Sequence, residues 1–289
     1  MGAEHAYPQI SSLEPKEKTI NVSKHWRSIV TGILALLIST PIWGQIDTIS
    51  YVKYWGKIVV GVNADYKPFG YTDSTGKIVG LEIDLAKDVA KRLHVGIELV
   101  PVLAANRIEF LKEGRIFLII ATMAYGQDRT EMVEIPEPFY YASAANMFAK
   151  KSSGLKNWED LKGKPVCAVQ GFHDNRRAGD EFGAHLIVFK RAPEAMLALE
   201  RGSCVGVVFD AAFFAGIMDD PKWTDYGTVL PLIDPEPWAV AVRKGDTKFA
   251  AYMSDVIKDW HRTGFILKLQ KKWGLPESAF LAEQHAEYK

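Results

Sequence analysis

The sequence predicts an α/β protein of two lobes, each a doubly wound sheet with flanking helices, joined by two extended crossings. Three observations predict it. Ile58–Val62 is a short β-branched apolar run followed at once by polar residues, which reads as a buried strand. Leu81, Leu85, Val89 and Leu93 then recur at four-residue spacing with charges between them, the mark of an amphipathic helix. A second strand–loop–helix unit begins at Val166, beyond a proline- and aromatic-rich segment. In such units ligands bind just past the carboxyl end of the strand, which here puts Asn63, Ala64, Asp65 and Tyr66 at a candidate site.

Taken in order, Pro68, Gly70 and the turn Asp73–Gly76 start a hairpin-like excursion before the first helix. Gly96–Val102 reads as a second strand, Arg107–Lys112 as a short helix stopped at Gly114, and Phe117–Ala121 as another buried strand. Thr122–Arg129 follows as a polar loop, and Val133–Ser143, with Pro136 and Pro138, as an irregular segment leaving the first lobe. Ala144–Lys150 is a hinge strand. The second lobe then takes strands at Val166–Val169, Leu186–Phe189 and Val205–Phe209, a loop at Gln170–Asn175, a short helix reaching Glu181 and a longer one over Pro193–Arg201. Val229–Val242, broken by three prolines, is the return crossing, and two helices, Phe249–Trp260 and Phe265–Trp273, close the chain. Lobe 1 is therefore expected over 52–143 plus 239–289, and lobe 2, with the hinge strands, over 144–238.

The 289 residues allow two lobes of about 100 residues each. Thirty-five basic residues balance thirty-five acidic ones with no basic stripe, which argues against a nucleic-acid partner. Residues 1–44 differ in kind. Lys24–Arg27 precede an apolar segment from Ile29 to Ile38, with Pro41 and Gly44 after it, the layout of a secretory signal peptide. The segment falls short of the roughly 20 apolar residues of a spanning helix; an uncleaved anchor is the alternative. Residues 1–21 are polar and read as an over-extended gene start, with translation beginning at Val22. No cysteine follows the apolar segment, so a lipid anchor is not expected. A soluble binder without an anchor implies a periplasm.

No catalytic motif stands out. Gly70–Lys77 has the wrong glycine spacing for a phosphate loop, and Ile78 stands where it needs a hydroxyl. The seven histidines show no metal-ligand spacing, and neither C-x-x-C nor G-x-S-x-G occurs. No metal or cofactor is therefore expected. The binding reading rests on charges at strand ends. A zwitterion needs a cation for its carboxylate and an anion for its amine, and arginine grips a carboxylate with two parallel hydrogen bonds. Arg129 follows the strand FLIIA; Asp210 closes the strand VGVVFD.

The stretches VVGVNADYKPFGY and GKIVGLEIDLAK resemble the opening of the extracellular solute-binding proteins (family 3) that feed polar amino acids to ABC transporters. The resemblance runs from about Lys57 to Gly274 and implies a type II periplasmic binding protein fold. In the family's A-x-M-x-x-x-x-x-R pattern, matched by Ala121, Met123 and Arg129, the arginine holds the ligand's carboxylate. The resemblance further implies that Asp210 takes the α-amine, that Tyr66 is an aromatic lid, and that the backbone at Gly171 helps bind the carboxylate. Thr122 and His173 complete the expected lining. Four positions depart from the pattern, the first being Phe117, which stands in a strand where the family usually has an Asp. Ala124 and Phe172 replace hydroxyl residues, and Asn63 occupies a place often held by an acidic one. Each lost hydrogen bond is worth roughly 0.5–1.5 kcal/mol, and Phe172, with Phe209, makes the pocket more apolar. The implied partners are a small amino acid or carboxylate and an inner-membrane ABC transporter permease, with the protein itself a monomer. The alternative is an enzyme on this scaffold, similar to the periplasmic cyclohexadienyl dehydratases, with Asp65, Glu137 or His173 as proton donor. Cys167 and Cys204 flank strands that are neighbours in a doubly wound order; an oxidising compartment permits a bridge, and two buried thiols are the alternative.

Overall fold

The structure, a computed structural model, describes residues 47–233 and 235–289. The leader expected over 1–44 lies outside the described residues. In chain order the elements are α1 (Thr48–Trp55), β1 (Lys57–Val62), β2 (Asp65–Tyr66), β3 (Gly70–Thr72), β4 (Ile78–Val79), α2 (Leu81–Leu93), β5 (Gly96–Pro101), α3 (Arg107–Lys112), β6 (Leu118–Ala124), α4 (Gln127–Met132), β7 (Val133–Glu134) and β8 (Tyr141–Ser143). There follow β9 (Ala145–Lys150), β10 (Pro165–Val169), β11 (His185–Phe189), α5 (Ala192–Glu200), β12 (Gly206–Asp210), α6 (Ala211–Ala215), β13 (Tyr226–Thr228), β14 (Glu236–Arg243), α7 (Thr247–Arg262), α8 (Phe265–Lys272) and α9 (Ala279–Tyr288).

Two sheets organise them. The first runs β5-β1-β6-β14-β7 with β8 beside β14, and the second runs β11-β10-β12-β9-β13. In each, the parallel strands point their carboxyl ends the same way, and an antiparallel strand delivered by the crossing joins them, β14 against β6 and β9 against β12, with β7 and β13 beyond them at the edges. β1 and β6 are buried almost throughout because helices cover both faces, which is why their sequences are unbroken apolar runs. The chain leaves the first sheet after Ser143 and returns at Glu236. The Asp73 carboxylate caps the excursion by accepting hydrogen bonds from the backbone N–H of Thr75 (2.8 Å) and Lys77 (3.0 Å).

Several elements differ from expectation. The polar loop assigned to Thr122–Arg129 divides in two: β6 continues to Ala124, and Arg129 sits on the short helix α4. β6 can continue because Thr122 adopts a left-handed φ of 45°, and the pairing with β14 shifts register at this point. Such a conformation costs a β-branched residue on the order of 1–3 kcal/mol and tends to occur at functional sites. α1, α6 and α9 have no counterpart among the expected helices. Cys167 on β10 and Cys204, just before β12, form a disulfide with Cα atoms 5.7 Å apart, the bridged alternative. No helix of the described residues is long and apolar enough to cross a membrane.

Candidate functional site

The carboxyl ends of β1 and β6 face those of β10 and β12 across a cleft, and the candidate residues gather there. A small cavity of about 20 Å³ is lined by Ala104, Arg107, Thr122, Ala124 and Arg129 of lobe 1 and by Gly171, Phe172, His173, Phe209 and Asp210 of lobe 2. That is room for about one water, so the lobes are closed on each other. Thr122, Ala124, Arg129, Gly171, Phe172, His173 and Asp210 line this cavity. Asn63 and Tyr66 stand behind it.

The two lobes touch through backbone at two glycines. A Cβ on Gly171, whose φ is +80°, would lie 2.8 Å from the Ala104 carbonyl carbon; one on Gly216 would lie 2.2 Å from the Lys67 carbonyl oxygen. Aromatic rings fill the seam. Tyr66 meets Phe209 at 5.6 Å and Phe213 at 5.2 Å between centroids, and Phe172 meets Phe209 at 4.9 Å. At the rim Arg191 pairs with Asp65 at 2.8 Å.

The charges in the cleft are unusual. Asp210 is 3% exposed, its Oδ1 has no hydrogen-bond partner among the described residues, and burial pushes its carboxyl up to about 8. The Tyr66 hydroxyl stands near it, also buried, without meeting hydrogen-bond geometry, and burial and the Asp210 charge both raise its pKa. Opposite are two arginines. Arg129 Nη1 donates to the Ala124 carbonyl, and burial lowers its pKa. Arg107 is 4% exposed, donates from Nη1 to the Ala121 carbonyl and leaves Nε unpartnered among the described residues; burial brings its pKa down to about 9, with Arg129 acting the same way. A buried carboxyl group, protonated at neutral pH while the cleft is empty, thus faces two desolvated cations, each with donors to spare.

Arg107 was not among the residues singled out by sequence. One signal was present: it opens a helix, where a cation is disfavoured by the aligned peptide dipoles. Glu82 was also missed. It is fully buried in the first turn of α2 and accepts hydrogen bonds from the Thr122 N–H (2.7 Å), the Tyr140 hydroxyl and Asn63 Nδ2 (3.4 Å). Burial pushes its carboxyl up to about 7. Asn63 donates also to Thr122 Oγ1 at 3.0 Å, so its amide is committed to this network, which fixes the bulged end of β6. Of the proton-donor candidates, Asp65 is held at the rim by Arg191. Glu137 lies outside the cleft, where Ser254 of α7 hydrogen-bonds its carbonyl.

His173 has further company. Its Nε2 lies 3.0 Å from Asp174 Oδ2 and 2.8 Å from Glu236 Oε2. Burial first, then the charges of Arg129 and Arg107, lower the imidazole pKa to about 3, with Asp128 acting the other way. The histidine spacing could not reveal this cluster, because Glu236 arrives on the return crossing.

Known proteins resemble this chain in sequence and in fold. The family model for bacterial extracellular solute-binding proteins, family 3, matches residues 58–276. The chain is 30% identical over 233 residues to the ABC transporter glutamine-binding protein GlnH of Bacillus subtilis (strain 168), covering 78% of this chain and 84% of that protein. It is 26% identical over 262 residues to the L-glutamate/L-aspartate-binding protein of Pseudomonas aeruginosa, covering 84% and 85%. Among solved structures, a mutant of ArgBP from T. maritima matches with a TM-score of 0.73 at 30% identity, over 78% of this chain and 98% of that one. The ancestral amino acid-binding protein AncCDT-1, a precursor of cyclohexadienyl dehydratase, matches with a TM-score of 0.70 at 29% identity, over 78% and 99%. Matched over most of its length in sequence and in fold, the chain belongs to the bacterial extracellular solute-binding proteins, family 3.

Proposed function

We propose that this protein captures an amino acid or a related small carboxylate between its lobes and delivers it to an ABC transporter. The carrying observation is the buried Asp210 carboxylate, with an unpartnered oxygen, facing Arg107 and Arg129 across the cleft. A free amino acid satisfies both sides at once: its ammonium answers Asp210, and its carboxylate takes two parallel donors from a guanidinium. The side chain then displaces or packs on Phe172, Phe209 and Tyr66, which favours an apolar or small neutral ligand over a strongly cationic one. Because the closed cleft has room for little more than a water, ligand enters an open form and is buried on closure. The relatives are amino-acid-binding proteins of such transporters, which supports the reading. Export by the amino-terminal leader and a periplasmic, monomeric mature form complete it.

The test is a thermal-shift screen of the chain against the common amino acids and small carboxylates. A ligand at 100 times its dissociation constant adds about 2.7 kcal/mol. A shift with at least one α-amino acid that the Asp210→Asn variant lacks is the expected result; no shift with any of them would overturn the proposal. A second reading, a dehydratase on the same scaffold, draws on Asp210, whose raised pKa keeps it protonated at neutral pH as a proton donor must be. Turnover of prephenate or arogenate discriminates the two.

A further inference from the structure

We propose that His173, Asp174 and Glu236 form a binding site for a divalent cation of the zinc type, joining the two lobes beside the ligand cavity. His173 and Asp174 come from the loop after β10 of the second sheet, and Glu236, inside the span expected for lobe 2, instead opens β14 of the first sheet where the return crossing enters it. One ligand atom from each lies within 4.8 Å of the others. Zinc takes nitrogen and oxygen ligands at about 2.0–2.2 Å, so in a tetrahedral shell neighbouring ligand atoms sit about 3.3–3.6 Å apart. Two edges of this triangle, 3.0 Å from His173 Nε2 to Asp174 Oδ2 and 2.8 Å to Glu236 Oε2, must lengthen by about half an ångström to admit the ion, while the third, between the carboxylates, lies within 4.8 Å.

An independent observation points the same way. Asp174 is 4% exposed, and its Oδ2 has no hydrogen-bond partner among the described residues; His173 Nε2 has none either. A single imidazole nitrogen makes one hydrogen bond, so it cannot serve two carboxylates. Two carboxylates brought together beside one buried imidazole repel each other, with no cation of the triad between them. A divalent cation resolves all three groups at once. One imidazole and two carboxylates are hard-to-intermediate ligands, suited to zinc or cobalt rather than to soft, thiolate-loving ions. Since the ligands come from both lobes, the ion would favour the closed form, and His173 carries that effect to the cavity it lines.

The test uses the untagged full chain, stripped with chelator, with no amino acid present. Cobalt(II) is titrated in and its visible d–d absorption recorded, then zinc is added in competition. The expected result is one cobalt ion per chain in a low-symmetry site, displaced by zinc. His173→Ala and Glu236→Gln should each weaken it by about tenfold or more, at least the cost of losing an outer-shell partner. Melting in chelator reports that each variant folds, and Glu236→Gln keeps shape at a half-buried position. Cobalt uptake that is absent, or equal in wild type and both variants and so due to other histidines, would overturn the proposal. The outcome is separable from the amino-acid reading, because no amino acid takes part.

Discussion

Replacing Arg129 with alanine removes one of the two guanidinium groups that line the cleft with Asp210. In the closed form Arg129 gives one N–H to the Ala124 carbonyl. A guanidinium has five such donors, so a forked pair remains for a ligand carboxylate. Each charge-assisted bond is worth about 1.5–3 kcal/mol, and truncating one partner of a buried charge pair typically costs about 2–5 kcal/mol. At about 1.4 kcal/mol per decade, that is roughly a 30- to several-thousand-fold loss of affinity. Arg107, with Nε unpartnered beside the same cavity, can take part of the carboxylate, which sets the expectation toward the lower end. Arg129→Lys should recover only part, because an ammonium keeps the charge without the fork. The assay is calorimetric titration with whichever amino acid shifts the melting temperature. Wild-type affinity in Arg129→Ala would mean that Arg107 alone holds the carboxylate, and the assignment of Arg129 would be wrong.

Phe172→Thr, at the wall of the cavity, should restore a hydroxyl and remove the ring that packs on Phe209; the order of preferred ligands in a thermal-shift panel should change, and an unchanged order would place the ring outside the binding surface. Asp210 should make the empty closed form pH-sensitive. Its carboxyl is raised from an ordinary 3.8 to about 8, so the closed form binds a proton that the unfolded chain has released, and stability is lost as pH rises from about 4 through 8. Glu82 and Glu236, both raised to about 7, add slope of the same sign. Asp210→Asn should therefore flatten, without abolishing, the fall in melting temperature across that range; an unaltered slope would count against the burial of Asp210. Removing the Cys167–Cys204 bridge by a double alanine substitution frees a loop of 37 residues in the unfolded chain, worth about 4 kcal/mol by the chain-entropy relation, read as a lower urea midpoint.

The scaffold was legible because its signals are local. The run Ile58–Val62 and the spacing of Leu81, Leu85, Val89 and Leu93 are set by strand and helix burial, and β1 and α2 lie where they point. Arg129 and Asp210 could be nominated for the same reason, each following a recognisable buried strand. Other features depend on distant partners. The polar letters after Ala121 suggest a loop, yet β6 runs on to Ala124 because Glu82 and Tyr140, remote in sequence, take the Thr122 N–H. Glu82 itself falls among Leu81, Ala86, Val89 and Leu93 on the buried side of α2, a charge on an apolar stripe and thus a readable anomaly. The meeting of His173 with Glu236 has no such trace, since it exists only when the lobes are folded together.

The two lobe-spanning glycines set a mechanical stop. Gly171 and Gly216 let main chain rest directly on main chain, at Ala104 and at Lys67, so at these two points the approach of the lobes is limited by the thickness of a peptide. A methyl group at either place is a wedge. With peptide atoms on the far side, nothing can rotate out of its way, and the lobes must stand apart by about the deficit in contact distance. Gly216→Ala touches no group assigned to the ligand and no backbone of unusual φ. It would yield a receptor with its chemistry intact and its travel shortened, a means of separating how tightly this protein holds its cargo from how far it shuts.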